Sequence, residues 1–513
     1  MKKIPILFAL IIFLQLKLFP QQLPNVKNSW VGNTFGLPEK HIPHNIDNIY
    51  VTPSGKVATI TGWEEGGHNV AIYDNNGTQL GIPVESGTGS WGRMSGSAVF
   101  LNDNYLYQVM SQHGCDGGNG DGLAFPPCGV KWQCIRRYQL NGNSAPFTNG
   151  KGYDKSMLMV STNDLGINGV LVYNNELYVS DVGAAAIKVY NATTMSDVVV
   201  RALSVGSAGV MDFDSKGNLW VLDQTQQKLV CFTTTGTILP QQIIFPASVK
   251  ATSFCVDKVN DRILVTNNAI DQNILIYTNI FNQPTQSSTY GATGGINSGV
   301  SGEVAPLKFS TPKGVGIDNL GNIYVANNGV GAGGVRLEKY NTSNALQWQL
   351  KGLMFTDNGC IDDFSEVDVY SRETHMKVDF KNTTPGTEWS LKGMTINKFA
   401  YPEDNRLDDA FWTTAYMRNG LGKKLLFVTD MYGSNLTVHK FSAATGETAV
   451  PSAYFSEDDG KEYIWSDINN NQTHQGNEFD KMTSPILMVL ILCLTRQEMF
   501  GEPIVKMVLG ISP

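Results

Sequence analysis

Positive charge is scarce in this sequence: 38 Lys and Arg stand against 46 Asp and Glu in 513 residues, a net charge of −8. No basic stripe runs along it, which excludes nucleic acid as the expected partner. The familiar catalytic signatures are missing too. There is no G-x-S-x-G elbow, H-E-x-x-H pair, P-loop or dinucleotide fingerprint, so the chemistries those loops support have no anchor here. Long apolar runs are lacking as well. The stretches within 1–22 and 484–494 are shorter than the roughly 20 residues that a bilayer crossing needs, so no stable membrane span is expected. Cysteine is sparse, at seven residues. Cys115, Cys128 and Cys134 cluster in a Gly-rich insertion at 113–134, where a disulfide in an oxidising compartment or a zinc site completed by His113 are the two readings. Cys231 and Cys255 begin or end equivalent strands and read either as a pair or as buried free thiols.

Turns are abundant instead, with 52 glycines. One short pattern recurs: GVLVYNNELYVSDVGAAAIKVY (169–190), GVMDFDSKGNLWVLDQTQQKLVCF (209–232), SFCVDKVNDRILVTNNAIDQNILIY (253–277), GVGIDNLGNIYVANNGVGAGGVRLEKY (314–340) and LLFVTDMYGSNLTVHKF (425–441). Each copy reads as three strands, since β-branched and aromatic runs alternate with Asn, Asp and Gly turns. Weaker copies lie at 57–74 and 97–110, the latter resuming near Cys134 to Tyr138, and hairpin pairs at 360–380 and 389–399. The first strong copies follow one another at roughly 40 residues, the pitch of a four-stranded blade. An all-β propeller is therefore expected, of six to eight blades with seven as the central count, over residues 28–460. Closure is expected from an N-terminal strand completing the last sheet, drawn from 51–60 or from around Trp30.

The segments at 209–223 and 314–327 share D-x-x-G-N-[LI]-[YW]-V-x-[DN], with a G-V pair separated from the aspartate by three and two residues respectively. In this the chain resembles NHL-type and gluconolactonase-like repeat propellers. With GWEEGG at 62–67 and FVTDMY at 427–432 it is similar to the propeller modules of large secreted bacterial proteins of unassigned activity, over about 28–479. The resemblance implies fold more than activity, because one fold hosts many functions.

The start, MKKIPILFALIIFLQLKLFPQQ, has a short basic head, an apolar run and a polar exit. It reads as a secretory signal peptide at 1–22, placing the protein outside the cell or at its surface. At the other end the pattern breaks abruptly, and 481–513 reads as an atypical apolar tail, truncated or frame-shifted.

Three sets of residues carry candidate chemistry. Asp467, Asn469, Asn471, Thr473, Gln475 and Glu478 supply oxygen donors at positions 1, 3, 5, 7, 9 and 12 of a calcium loop across 461–480, with Gln472 where such loops have glycine; Ca2+ or a solvated loop are the alternatives. Asp181, Asp223, Asn267, Asn327 and Asp430 each close a strand of the repeat. In gluconolactonase-like relatives such a ring holds calcium and activates water, while the structural reading has each capping its own turn. Trp63, Glu64 and His68, with Trp91 and Arg93 on a second Gly-rich loop, could stack and hydrogen-bond a sugar, although neighbouring strand residues point to opposite faces. The expected function is a secreted, monomeric, non-catalytic scaffold binding glycan or protein through its loops. The alternative is a metal-dependent hydrolase or lactonase.

Overall fold

The recurring D-x-x-G-N-[LI]-[WY] letters have a direct physical role. Asp214 Oδ1 accepts the backbone N–H groups of Lys216 and Asn218, both at 2.9 Å, and its Oδ2 accepts the Trp220 indole at 3.2 Å. Asp318 does the same for Leu320, Asn322 and the Tyr324 hydroxyl. Gly217 and Gly321 supply the left-handed residue at φ +79° and +81° that each turn needs. The aspartate thus holds a tight turn between the first and second strands and ties it to the buried aromatic that follows. Elsewhere Asn174 and Asn175, at φ 45° and 66°, make the two-residue turn joining Ile167–Tyr173 to Glu176–Asp181.

The computed structural model describes residue 42 and residues 45–481, apart from 63–68, 82–92, 113–131, 152–153, 163–164, 330–333, 353–358, 363–364, 383–387, 408–411, 421, 431–434 and 459–460. Consecutive strands pair antiparallel into eight sheets. Sheets 1 (48–81), 2 (93–161), 3 (167–204), 4 (208–244), 5 (251–290), 6 (312–352) and 7 (360–394) have four strands each, and sheet 8 (412–481) has six.

The first strands of sheets 1 to 6 stand side by side in a closed circuit: Asn48–Val51, Arg93–Leu101, Ile167–Tyr173, Ala208–Phe213, Ala251–Asp257 and Pro312–Ile317, the last lying against the first. This is a β-propeller, with apolar faces of neighbouring sheets packed to form the core. One large cluster joins Leu177, Val179, Val189, Met211 and Leu219 across sheets 3 and 4. At the seam between sheets 6 and 1, Tyr324, Ala326 and Leu337 pack on Ile49, Val57 and Tyr73.

That seam corrects the expected mode of closure. Residues 51–60 do not complete the last sheet; Asn48–Val51 and Val57–Ile60 pair with each other inside sheet 1. Sheet 6 takes all four of its strands from 312–352. The ring is closed by side-chain packing and by bonds such as Trp348 Nε1 to Asn75 O (2.9 Å), Lys339 Nζ to Asn75 O (2.9 Å) and Ile46 N to Asn328 Oδ1 (2.8 Å). Four complete strands per blade leave no gap for an exchanged strand to fill. Trp30, the other suggested source, lies outside the described residues.

Sheets 7 and 8 stand outside the circuit. They are held to it by the long connection between sheets 5 and 6, which runs beside the last strand of sheet 7: Val304 N donates to Lys392 O (2.9 Å) and Met394 N to Gly302 O (2.8 Å). Gly302 sits at φ +78°, and a Cβ there would lie 2.3 Å from Met394 O, so the close approach needs glycine. His375 of sheet 7 bonds Glu447 of sheet 8 at 2.7 Å.

A fully buried polar group locks these two sheets. Arg406 donates to Asp404 Oδ2 (2.7 Å), to the carbonyls of Arg372, Thr395 and Ala449, and to Thr395 Oγ1; His439 Nε2 meets Asp404 Oδ1 at 3.1 Å. Burial, then the Arg406 charge, pushes His439 down from 6.5 to about 4. Burial alone would raise Asp404, but Arg406 and then His439 outweigh it and hold the carboxyl well below its usual 3.8. From pH 6.5 to about 4 the unfolded chain takes up a proton that folded His439 refuses, so stability falls with pH across that window. Below 3.8 the protonation of unfolded Asp404 continues the loss in the same direction. We expect His439→Gln to flatten the stability-against-pH profile between pH 6.5 and 4, as read by urea midpoints. An unchanged slope would mean that His439 is not the titrating group.

Candidate functional site

Antiparallel alternation brings the starts of the six first strands and the ends of the six second strands to one face of the ring. The connections 61–69, 81–93, 112–132 and 329–334 all join strand ends at this face. Polar side chains of successive sheets are linked in series: Ser97 Oγ bonds Asn168 Oδ1 (3.5 Å), and Asn168 Nδ2 bonds Gln224 Oε1 (3.0 Å). Trp63, Glu64, His68 and Trp91 lie outside the described residues. Arg93 opens the first strand of sheet 2, and its side chain also lies outside them.

The five strand-end residues turn back onto their own sheets or adjoining connections. Asp181 accepts Ala184 N (3.1 Å) and pairs with Lys188 Nζ (2.8 Å). Asp223 accepts Gln226 N (3.0 Å). Asn267 accepts Lys250 N and Ala269 N and donates to Asn273. Asn327 accepts Ser310 N and donates to Glu338. Asp430 accepts Asn435 Nδ2 at 2.6 Å, in sheet 8 and so outside the ring circuit. Each of the five is thus engaged by partners other than the remaining four. Among the described residues no group of three or more His, Cys, Asp and Glu side chains is placed to hold a metal ion.

The loop at 467–478 is ordered by its own bonds. Gln472 takes φ +57°, in the left-handed region where a calcium loop has glycine, and donates its N–H to Asp467 Oδ1 at 3.2 Å. Asn469 Oδ1 caps Asn471 N, Asn471 Oδ1 caps Thr473 N, and Asn469 Nδ2 reaches Gln475 Oε1. Lys440 Nζ stands 3.6 Å from Asp467 Oδ2 and 2.9 Å from Asn470 Oδ1. Glu478 is buried, with Oε2 on the Trp465 indole at 3.0 Å.

The ring axis carries residues that no motif marks. Its channel, lined by all six first strands, encloses about 60 Å3, room for a few ordered waters. Ser253 Oγ donates to Asn48 Oδ1 at 3.0 Å, bridging from sheet 5 to sheet 1 past sheet 6. Asp212 accepts Phe213 N and Val256 N and pairs with Lys258 at 3.2 Å. Burial, then Asp212, raises both the Tyr50 phenol and the Cys255 thiol well above their ordinary values. Cys255 is thus held as a thiol, the unreactive form. Apart from Cys255, these residues were invisible in the sequence because they are inward positions of ordinary strands. Cys231 and Cys255 are both free, and Cys115 and Cys128 lie outside the described residues.

The closed circuit of four-stranded sheets makes this chain an all-β propeller. No protein family and no curated protein matches its sequence. Among solved structures it is similar to virginiamycin B lyase from Staphylococcus aureus, at 10% identity over 70% of this chain and 98% of that one, TM-score 0.34. It is also similar to a streptogramin B lyase, at 8% identity over 82% and 95%, TM-score 0.35. A third likeness is to a Bacteroides uniformis protein described as a 6-phosphogluconolactonase, at 10% identity over 60% and 86%, TM-score 0.35. Likenesses this distant transfer no activity. Among the described residues no helix is long and apolar enough to cross a membrane.

Proposed function

We propose that this is a secreted, non-catalytic propeller that binds glycan or protein through the loops of one ring face. The observation that carries this reading is that the strand ends joined by the connections 61–69, 81–93, 112–132 and 329–334 all lie at a single face of the ring. A scaffold that holds variable loops together on one side is the usual arrangement of a recognition surface. The chemistry around the axis fits binding better than turnover: the thiol is protonated, and the strand-end carboxylates are engaged by their own turns.

The test is a glycan array probed with the full chain. Saturable binding to one glycan class is expected, weakened at least tenfold by Trp63→Ala and by Trp91→Ala with no change in melting temperature. Hydrolysis of lactone substrates that is abolished both by chelator and by Asp181→Asn with Asp223→Asn would overturn the reading in favour of a metal-dependent hydrolase.

A further inference from the structure

We infer that Lys250, Lys313 and Lys398 form a binding site for a compact divalent oxyanion, phosphate or sulfate, at the ring face where the first strands of sheets 5 and 6 begin. The inference goes beyond the loop-binding reading, since its residues belong to none of the connections on which that reading rests.

The backbone brings the three together. Lys250 immediately precedes the first strand of sheet 5, and Lys313 is the second residue of the first strand of sheet 6. Those strands are neighbours, and Thr252 Oγ1 donates to Pro312 O at 3.1 Å, which sets the two lysine-bearing ends side by side. Lys398 arrives from the segment that follows sheet 7 and reaches Thr311 Oγ1 at 3.2 Å. Thr311 is itself fixed, its N–H donated to Gln272 Oε1 at 2.9 Å. The Lys398 segment is held by Asn397, which caps the N–H groups of Phe399 and Ala400 and donates to Ser301 Oγ. The site is therefore built on strand starts and a capped turn.

Its electrostatics are unusual for so acidic a chain. Among the described residues, Lys398 has a neutral hydroxyl and the face of Phe399 (5.3 Å) as neighbours, and none of the three lysines forms an ion pair. Lys398 is held below the ordinary lysine range by burial first, then by the charges of Lys250 and Lys313. Like charges gathered on rigid backbone, one of them partly buried, repel one another until an anion is bound. Ammonium groups meet a compact oxyanion as point charges with rotatable donors.

The full chain would be titrated calorimetrically with potassium phosphate, sulfate and acetate at constant ionic strength. We expect one saturable site for phosphate or sulfate, weakened at least tenfold by Lys250→Gln and by Lys398→Gln, retained by Lys398→Arg, and indifferent to Lys381→Gln on a remote exposed turn. Phosphate alone would mark a phosphoryl group as the natural ligand; both anions would mark a general divalent oxyanion site. Lys250 is exposed, so its variant stays folded and decides the matter should Lys398→Gln fail to fold. Absence of saturable binding, binding to acetate alone, or binding unchanged in Lys250→Gln would overturn the assignment.

Discussion

Replacing Arg406 with alanine is expected to destabilise sheets 7 and 8 by about 3–5 kcal/mol, the range for removing one partner of a buried ion pair. The side chain is fully buried, as is Asp404, and its fork serves Asp404 and three carbonyls from separate segments. Alanine leaves the carboxylate with the His439 imidazole as its remaining side-chain partner and takes a donor from each of those buried carbonyls. Arg406→Lys keeps the charge but not the planar five-donor fork, so it should recover only part of the loss. Hydrogen exchange is the suitable readout because it assigns an opening free energy to each sheet. Amides of 374–378 and 436–440 should lose protection while those of sheets 3 and 4 keep theirs. A change below about 1 kcal/mol in the first two segments would show that Arg406 is not the lock.

At the ring seam, Gly316→Ala is expected to cost about 1–3 kcal/mol through overpacking. A Cβ at Gly316 would lie 2.2 Å from Val51 Cγ2 and 2.7 Å from Val51 Cβ, so sheets 1 and 6 must part or Val51 must move. Val51→Ala removes the nearer carbon. The double variant should consequently be more stable than Gly316→Ala alone, a coupling that only touching residues display. Urea midpoints of the four chains close the cycle. Strict additivity would mean that the ring is not sealed by this contact.

Much of the fold was legible because one turn is written so plainly. Asp214 with Gly217 and Trp220, and Asp318 with Gly321 and Tyr324, are each a complete set of hydrogen bonds within seven residues, so the repeat could be read without tertiary information. Closure was not legible. Whether residue 51 joins a distant sheet or packs on its face depends on a partner some 260 residues away, and Val51 looks the same in either case. The setting of sheets 7 and 8 outside the circuit was hidden for a similar reason: their hairpins are locally like those of any blade, and long-range contacts such as the bracket at 302–304 and Lys398 on Thr311 show where they attach. Of the candidate sites, the strand-end carboxylates were placed correctly on their strands, yet their partners were a matter of rotamer and turn. The lysine cluster left no trace at all, because its three members come from positions 250, 313 and 398.

Sequential blades also dictate an order of events at the ribosome. Each sheet can pair as soon as its own four strands have emerged, without waiting for a later segment to lend a strand. The ring cannot. Until residue 352 is out, the outer faces of the first and the newest blade have no neighbour, and Ile49, Val57 and Tyr73 remain uncovered while Tyr324 and Leu337 are still being made. A growing chain of this design carries two sticky ends until its sixth blade is made, the condition in which nascent chains on adjacent ribosomes pair with each other. The crowding of Gly316 on Val51 has a meaning in that light: it is a fit that the chain's own sixth blade makes and that a passing apolar surface would not.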